Sequence, residues 1–444
     1  MKLKAGYVVP HPPLIIPQIG KGEELKIGKT IEAYDSIAKE IAMINPDTII
    51  VVSPHAKSYY DYINIFPGKK AFGSFRNYGA DIRFEVNYDN DFINALCALM
   101  EERNFPAGKD GCKDDVLDHG TMIPLYFIQK YLKDIKIVRI SISGHSLETH
   151  YLFGQMLYQA VEATDKSFVF VASGDLSHKL LKDGPYGVSN EGVDFDKRFL
   201  EILESTQLEK LKNFDEGFLK KAAECGLRSF VVMSGAFDKY NLDVETLSYE
   251  ATFGVGYAVA RIKPLSKKQN TRENNNEEDS FVKLARETIE FYLNTNKELE
   301  LNDIPDNMKD KAGVFVSLKK FGQLRGCIGT VFPTTTSIAN EIVQNAISAA
   351  FNDPRFMPLK AHELKYLEIN VDVLDKPVKV NSLDELDPLI YGVIVEFNNK
   401  SGLLLPNLEG VETVKEQIDI ALKKARIAPD ANYIIKKFKV TRHK

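Results

Sequence analysis

The sequence predicts an α/β first domain, with mostly parallel strands and flanking helices, followed by a second domain of α+β type. Three observations carry this. Short β-rich apolar runs alternate with stretches of helical spacing through the first 265 or so residues, the pattern of a parallel sheet wound with helices. A segment without apolar residues, SKKQNTRENNNEEDS (266–280), then reads as a polar linker. Beyond it, helices and strands follow one another without the βαβ rhythm. At 444 residues the chain has room for two or three domains at about 150 residues each, and the division expected is 1–265, linker 266–280, and 281–444.

In the first domain the strands are predicted at Lys4 to Val9, Thr48 to Val52, Ile135 to Ile142 and Phe168 to Ala172. Helices are predicted at Leu25 to Ile44, where Ile27, Ile31, Tyr34, Ile37, Ala38 and Ile41 form one apolar face, at Asp91 to Glu102, and at Tyr151 to Thr164. In the second domain, Phe281, Leu284, Ala285, Thr288, Ile289 and Tyr292 mark a helix behind a Ser280 or Asp279 cap. GVFVSLKKFGQLRGCIGTV reads as a hairpin turning at Phe321-Gly322. A helix from Ser337 to Phe351 and strands at Leu367 to Leu374 and Gly392 to Glu396 complete it.

Composition excludes several classes of function. A net charge of −5 leaves no basic footprint for nucleic acid. No apolar run approaches the ~18 residues of a membrane span. The opening MKLKAGYVVPHPPL is broken by prolines and does not read as a secretory signal. Cys97, Cys112, Cys225 and Cys327 lie far apart, which argues against a zinc ribbon or a disulfide framework and predicts a reducing cytoplasm.

Six of the eight histidines precede the linker, and four of them follow strands: VVPH closes on His11, VVSPH on His55, SISGH on His145 and FVFVASGDLSH on His178. In open parallel sheets, functional groups gather at the carboxyl ends of strands, where the loops converge. Two histidines and a carboxylate on one face of a metal form the arrangement used for non-haem Fe(II) and oxygen, with zinc the rival metal. Asp118, Asp175, Glu245 and Glu250 are the carboxylate candidates, and spacing does not choose among them. His145 suits a turn leading into a helix or, at most, a place in the pocket, and His150 a surface or packing role. Asp175 reads either as a turn or capping residue or as the group that sets the tautomer of His178.

The segments VVPHPPLIIP, VVSPHA, LDHGTMIPL, SGDLSH and SYEATFGVGYAVA, in this order across residues 1 to 264, closely resemble class III extradiol dioxygenases of the LigB type and their Memo-like relatives. That resemblance implies His11, His55 and Glu250 as ligands of Fe(II), His178 as the acid/base histidine and His119 as a substrate-side histidine. It implies ring cleavage of a small aromatic diol by O2. For the Memo-like branch it implies instead a metal- or partner-binding role without ring opening. A metal-dependent hydrolase using the same ligands is a third reading.

LRGCIGT, FNDPRFMPL, LEINVDVL and SGLLLP resemble the Ammecr-type domain across residues 281 to 444. The order of the two domains resembles the AmmeMemoRadiSam system, which implies a separate radical-SAM partner. Cys327, near Gly326 and Gly329 and after Arg325, is a candidate nucleophile, but with no histidine near in sequence it is read as a small buried cysteine. Arg325 and Arg355 are expected either to hold an anion together or to pair with Asp353 and neighbouring carboxylates.

Overall fold

The computed structural model describes residues 1–268, 278–408 and 410–444. The chain forms two compact units, Met1–Asn270 and Thr271–Lys444. The central part of the linker, 269–277, lies outside the described residues.

The first unit is built on an eight-stranded sheet in the order Lys70–Ser74, Arg83–Tyr88, Lys136–Ser141, Thr48–Ser53, Phe168–Ser173, Leu3–Val9, Tyr257–Lys267, Tyr240–Glu250. The five strands from Arg83–Tyr88 to Leu3–Val9 are mutually parallel. The remaining three pair antiparallel and close the two edges. Thr48–Ser53 and Phe168–Ser173 are buried at every position, which explains their continuous apolar sequence: both faces of a parallel sheet are covered. Helices Gly28–Ile44, Asn90–Arg103 and Leu147–Glu162 lie close to the predicted spans. The first starts later than expected because Glu23–Ile27 forms a tighter 3₁₀ turn.

The second unit has two four-stranded antiparallel sheets. Val314, Val316, Leu318, Ile369 and Val371 of the first sheet pack on Ala285, Ile289, Ile342 and Ala346 of helices Ser280–Thr295 and Ile338–Ile347. Asp279 caps the former by accepting from the Phe281 amide at 2.9 Å. The predicted hairpin is present, with Lys320 opposite Gln323 and both turn residues at positive φ, Phe321 at 52° and Gly322 at 75°. That is the backbone twist a two-residue hairpin turn needs. The second sheet buries Val393, Val395 and Leu404 against Ile418, Ala421 and Leu422 of helix Val414–Ala425. Among the described residues no helix is long and apolar enough to cross a membrane.

Candidate metal centre

Three adjacent parallel strands of the first unit, Thr48–Ser53, Phe168–Ser173 and Leu3–Val9, end side by side. The residues just past their carboxyl ends supply His55, then Asp175 and His178, then His11. Prolines 10, 12 and 13 stiffen the backbone about His11. The His11 amide donates to Asp175 Oδ1 at 2.7 Å, so the neighbouring loop fixes its position. Asp175 therefore braces His11, where the sequence pointed to His178.

Strand ends alone do not complete the site. Asp118 caps helix His119–Ile128, accepting from the Thr121 amide and hydroxyl and from Ser53 Oγ. Asp118 is thus committed to the helix terminus, and the cap places His119 on the first turn, facing the cluster. The His55 and His119 rings lie 4.1 Å apart by centroid, and His11 and His119 5.3 Å. His11 Nε2 and His55 Nε2 are 2.9 Å apart.

The third donor to this pair is Cys225. Its Sγ lies 3.5 Å from His11 Nε2, and the donor atoms of His11, His55 and Cys225 all fall within 4.8 Å of one another. Two glycines make this approach feasible. A Cβ on Gly174 would sit 2.1 Å from Gly226 Cα, so only two bare backbones can pass this closely. The Asp175 carbonyl accepts from the Gly226 amide at 3.1 Å, and the Asp175 amide donates to Cys225 Sγ at 3.3 Å.

Glu250 does not join this group. Its Oε2 accepts from the amide and hydroxyl of Thr30, at 2.8 and 2.7 Å, in the first turn of helix Gly28–Ile44. The residue before that helix, Ile27, has no capping side chain. The Glu250 carboxylate satisfies an otherwise unpaired amide and complements the positive end of the helix. The donor set brought together is two imidazoles and a thiol in place of two imidazoles and a carboxylate.

The electrostatics suit ligation. Burial, reinforced by the other imidazoles, holds His11 well below the ordinary histidine range. Burial and the neighbouring His119 bring His55 down to about 4, against the pull of Asp118. Burial also lowers His119 and His178, opposed respectively by Asp118 and by the Ala223 carbonyl. All four rings are neutral near pH 7 and able to offer a lone pair. The Cys225 thiol is pushed up by burial and by Asp175 and Glu224, so metal binding there releases a proton. The tautomer of His11 is fixed by a short relay. Ser173 Oγ donates to the Gly120 carbonyl at 2.6 Å and lies 2.9 Å from His11 Nδ1. Its one hydrogen being used, it accepts from Nδ1–H and leaves the Nε2 lone pair facing His55 and Cys225.

His178 is outside the three-donor group and, with Tyr186 at 5.4 Å between ring centroids, lines the same cleft. His145 does not reach the cleft: its amide donates to Ser143 Oγ, and it belongs to a separate polar group with His150. His150 is fully buried, its ring bonded to the Ser143 amide and the Ser146 carbonyl, so the packing role holds and the surface role does not. Glu245 pairs with Arg261 on the edge strands. In the second unit, Arg325 grips Glu363 and Arg355 grips Asp353, so the two arginines do not share an anion. Cys327 is half-buried, with Sγ 3.1 Å from Ser317 Oγ.

Sequence reasoning missed Cys225 and Ser173. No strand precedes Cys225, and the glycines that bring it in are 52 residues apart in a pairing that only the fold reveals.

Comparison with known proteins agrees with this architecture. Protein CA_C1420 of Clostridium acetobutylicum is 44% identical over 100% of both chains. A Thermotoga maritima protein is 46% identical over 38% of this chain and 98% of its own. Among solved structures, uncharacterized protein PH0010 from Pyrococcus horikoshii matches 36% of this chain and 88% of its own at 34% identity, with a TM-score of 0.35. Residues 282–444 match AMMECR1, and residues 5–260 match the catalytic LigB subunit of aromatic ring-opening dioxygenase. The parallel sheet, the histidines at its strand ends and the extent of these matches lead to one conclusion: the chain belongs to the LigB family and carries an AMMECR1 region fused behind the LigB region.

Proposed function

We propose that the first unit is an Fe(II)-dependent extradiol dioxygenase domain, in which His11, His55 and Cys225 hold the metal and His178 and His119 manage the protons of an aromatic diol. The convergence of four neutral imidazoles in one cleft supports this reading, because only two of them are needed as ligands. The donor chemistry fits a divalent transition metal, with two Nε2 or equivalent lone pairs and one sulfur within reach of a single ion. Iron bound there would supply open positions for the diol oxygens and for O2, and a path for electron density between them.

The chain's own residues supply the rest. His178, neutral and at the cleft wall, takes a proton from a diol hydroxyl onto a ring nitrogen, and the Ala223 carbonyl stabilises the resulting cation. His119, its ring tilted 33° to that of His55 at 4.1 Å, is placed to donate to or accept from the second hydroxyl.

One observation favours a second reading. A thiolate in place of the carboxylate departs from the two-histidine-one-carboxylate pattern and suits zinc or copper as well as iron, as expected of a Memo-like binding protein or a metal-dependent hydrolase. Purification without oxygen, metal analysis and then a panel of catechols with O2 separates these readings. Oxygen uptake by the iron-loaded protein supports ring cleavage, and its absence across a broad panel refutes it. One zinc per chain with no activation by iron favours the second.

A further inference from the structure

We infer that the substrate admitted to the first unit's cleft is an uncharged aromatic diol carrying an apolar substituent, and that ring-carboxylated diols are excluded. The inference rests on the ring-cleavage reading above and adds the substrate's charge and tail to it.

The cleft has a volume of about 490 Å³. Its polar groups are His11, His55, His119, His178 and Asp175, and the rings of His11, His55 and His119 lie within 5.3 Å of one another by centroid. Those groups are matched by the two hydroxyls of a diol. The rest of the lining is apolar or aromatic: Pro12, Pro13 and Leu14, which directly continue the His11 segment, and Pro185, Tyr186, Phe253, Val255 and Tyr257.

No lysine or arginine lines this cleft among the described residues. A carboxylate on the ring would lose hydration among these apolar side chains and meet no lysine or arginine there, the metal being engaged by the two hydroxyls. Such an anion is normally received by a guanidinium fork or an ammonium. An alkyl or aryl group meets the prolines, Leu14 and Phe253 and is freed from water by them. Three of the wall residues are prolines, whose rings have almost no side-chain freedom to lose, so the wall is formed before the ligand arrives. The volume exceeds what a bare catechol fills, which leaves space for that group beyond the ring.

The test is equilibrium binding to the full chain loaded with Zn(II), which holds the ligand without consuming it. The titrants are catechol, 4-methylcatechol, 4-propylcatechol and 3,4-dihydroxybenzoate, followed by calorimetry. Affinity should rise about threefold to fourfold per methylene added, and the carboxylated ring should bind at least tenfold more weakly than 4-propylcatechol. Leu14→Arg, which places a guanidinium on the half-buried wall, should narrow or reverse that gap. Equal or tighter binding of 3,4-dihydroxybenzoate by the unaltered protein overturns this inference and leaves the ring-cleavage reading standing. If none of the four diols binds, that reading falls, and this inference with it.

Discussion

Replacing Ser173 by alanine tests the relay that aims His11 at the metal. Ser173 and His11 are both buried, at 0% and 2% exposure, so no water takes over the lost contact. With the hydroxyl gone, the Nδ1–H tautomer of His11 loses its acceptor, and a buried donor left without a partner costs about 1–3 kcal/mol. The ring then favours the opposite tautomer, which puts a hydrogen on Nε2 where the metal must bind. The same free energy is subtracted from metal binding, a loss of roughly 5- to 150-fold in affinity, a span that brackets the roughly 10- to 100-fold typical when such outer hydrogen bonds are removed. Calorimetric titration of the full chain with Co(II) measures the affinity, and the Co(II)–thiolate absorption reports whether Cys225 still binds. Nitrogen-15 shifts of the His11 ring in the metal-free protein read the tautomer directly. Ser173→Thr, which keeps the hydroxyl, should retain the protonated Nδ1. A Ser173→Ala protein with affinity within twofold of the parent, or with Nδ1 still protonated, refutes the reasoning.

Cys225→Ala should remove tight metal binding, whereas Glu250→Ala should leave one metal per chain and lower stability by about 1 kcal/mol through loss of a helix cap; metal analysis with urea unfolding separates the two roles. Gly174→Ala forces a Cβ onto Gly226 Cα, and overpacking of about 1–3 kcal/mol together with weaker Co(II)–thiolate absorption is expected, while an unperturbed spectrum would show that the backbones can part freely. In the second unit, burial would raise the Glu363 carboxyl, but hydrogen bonds from Arg325 and Lys320 outweigh it and bring it down to about 2. Because the folded value is depressed, its contribution of about 3 kcal/mol at most is present above roughly pH 4.5 and disappears as pH falls toward 2. Hydrogen exchange across residues 313–374 of the full chain over that interval should show protection falling more steeply in the parent than in Glu363→Gln.

Much of the first unit was legible because its central strands are buried on both faces and read as unbroken apolar runs, with a histidine just beyond the run. This signal marked His11 and His55 together with His145 and His178, and the resemblance singled out the first two as ligands. Glu250 was assigned by resemblance, and local sequence cannot show that the helix at Gly28 lacks a cap of its own and draws a carboxylate from 220 residues away. Cys225 was invisible for a related reason: its position follows from a backbone contact, and backbone contacts leave no periodicity. The last two strands of the second unit, Ile434–Phe438 and Val440–His443, were missed because their lysines and arginine break the alternation that marks a half-buried strand.

The order of the three converging strands along the chain has a consequence for when the centre can come into being. Leu3–Val9 has no partner until Phe168–Ser173 has been made, and the thiol arrives only with residue 225. A ribosome therefore releases more than half of the chain before any ion meets all three donors. An ion held by all three donors would meet a sheet already assembled around them, and not the N-terminal histidines as they emerge.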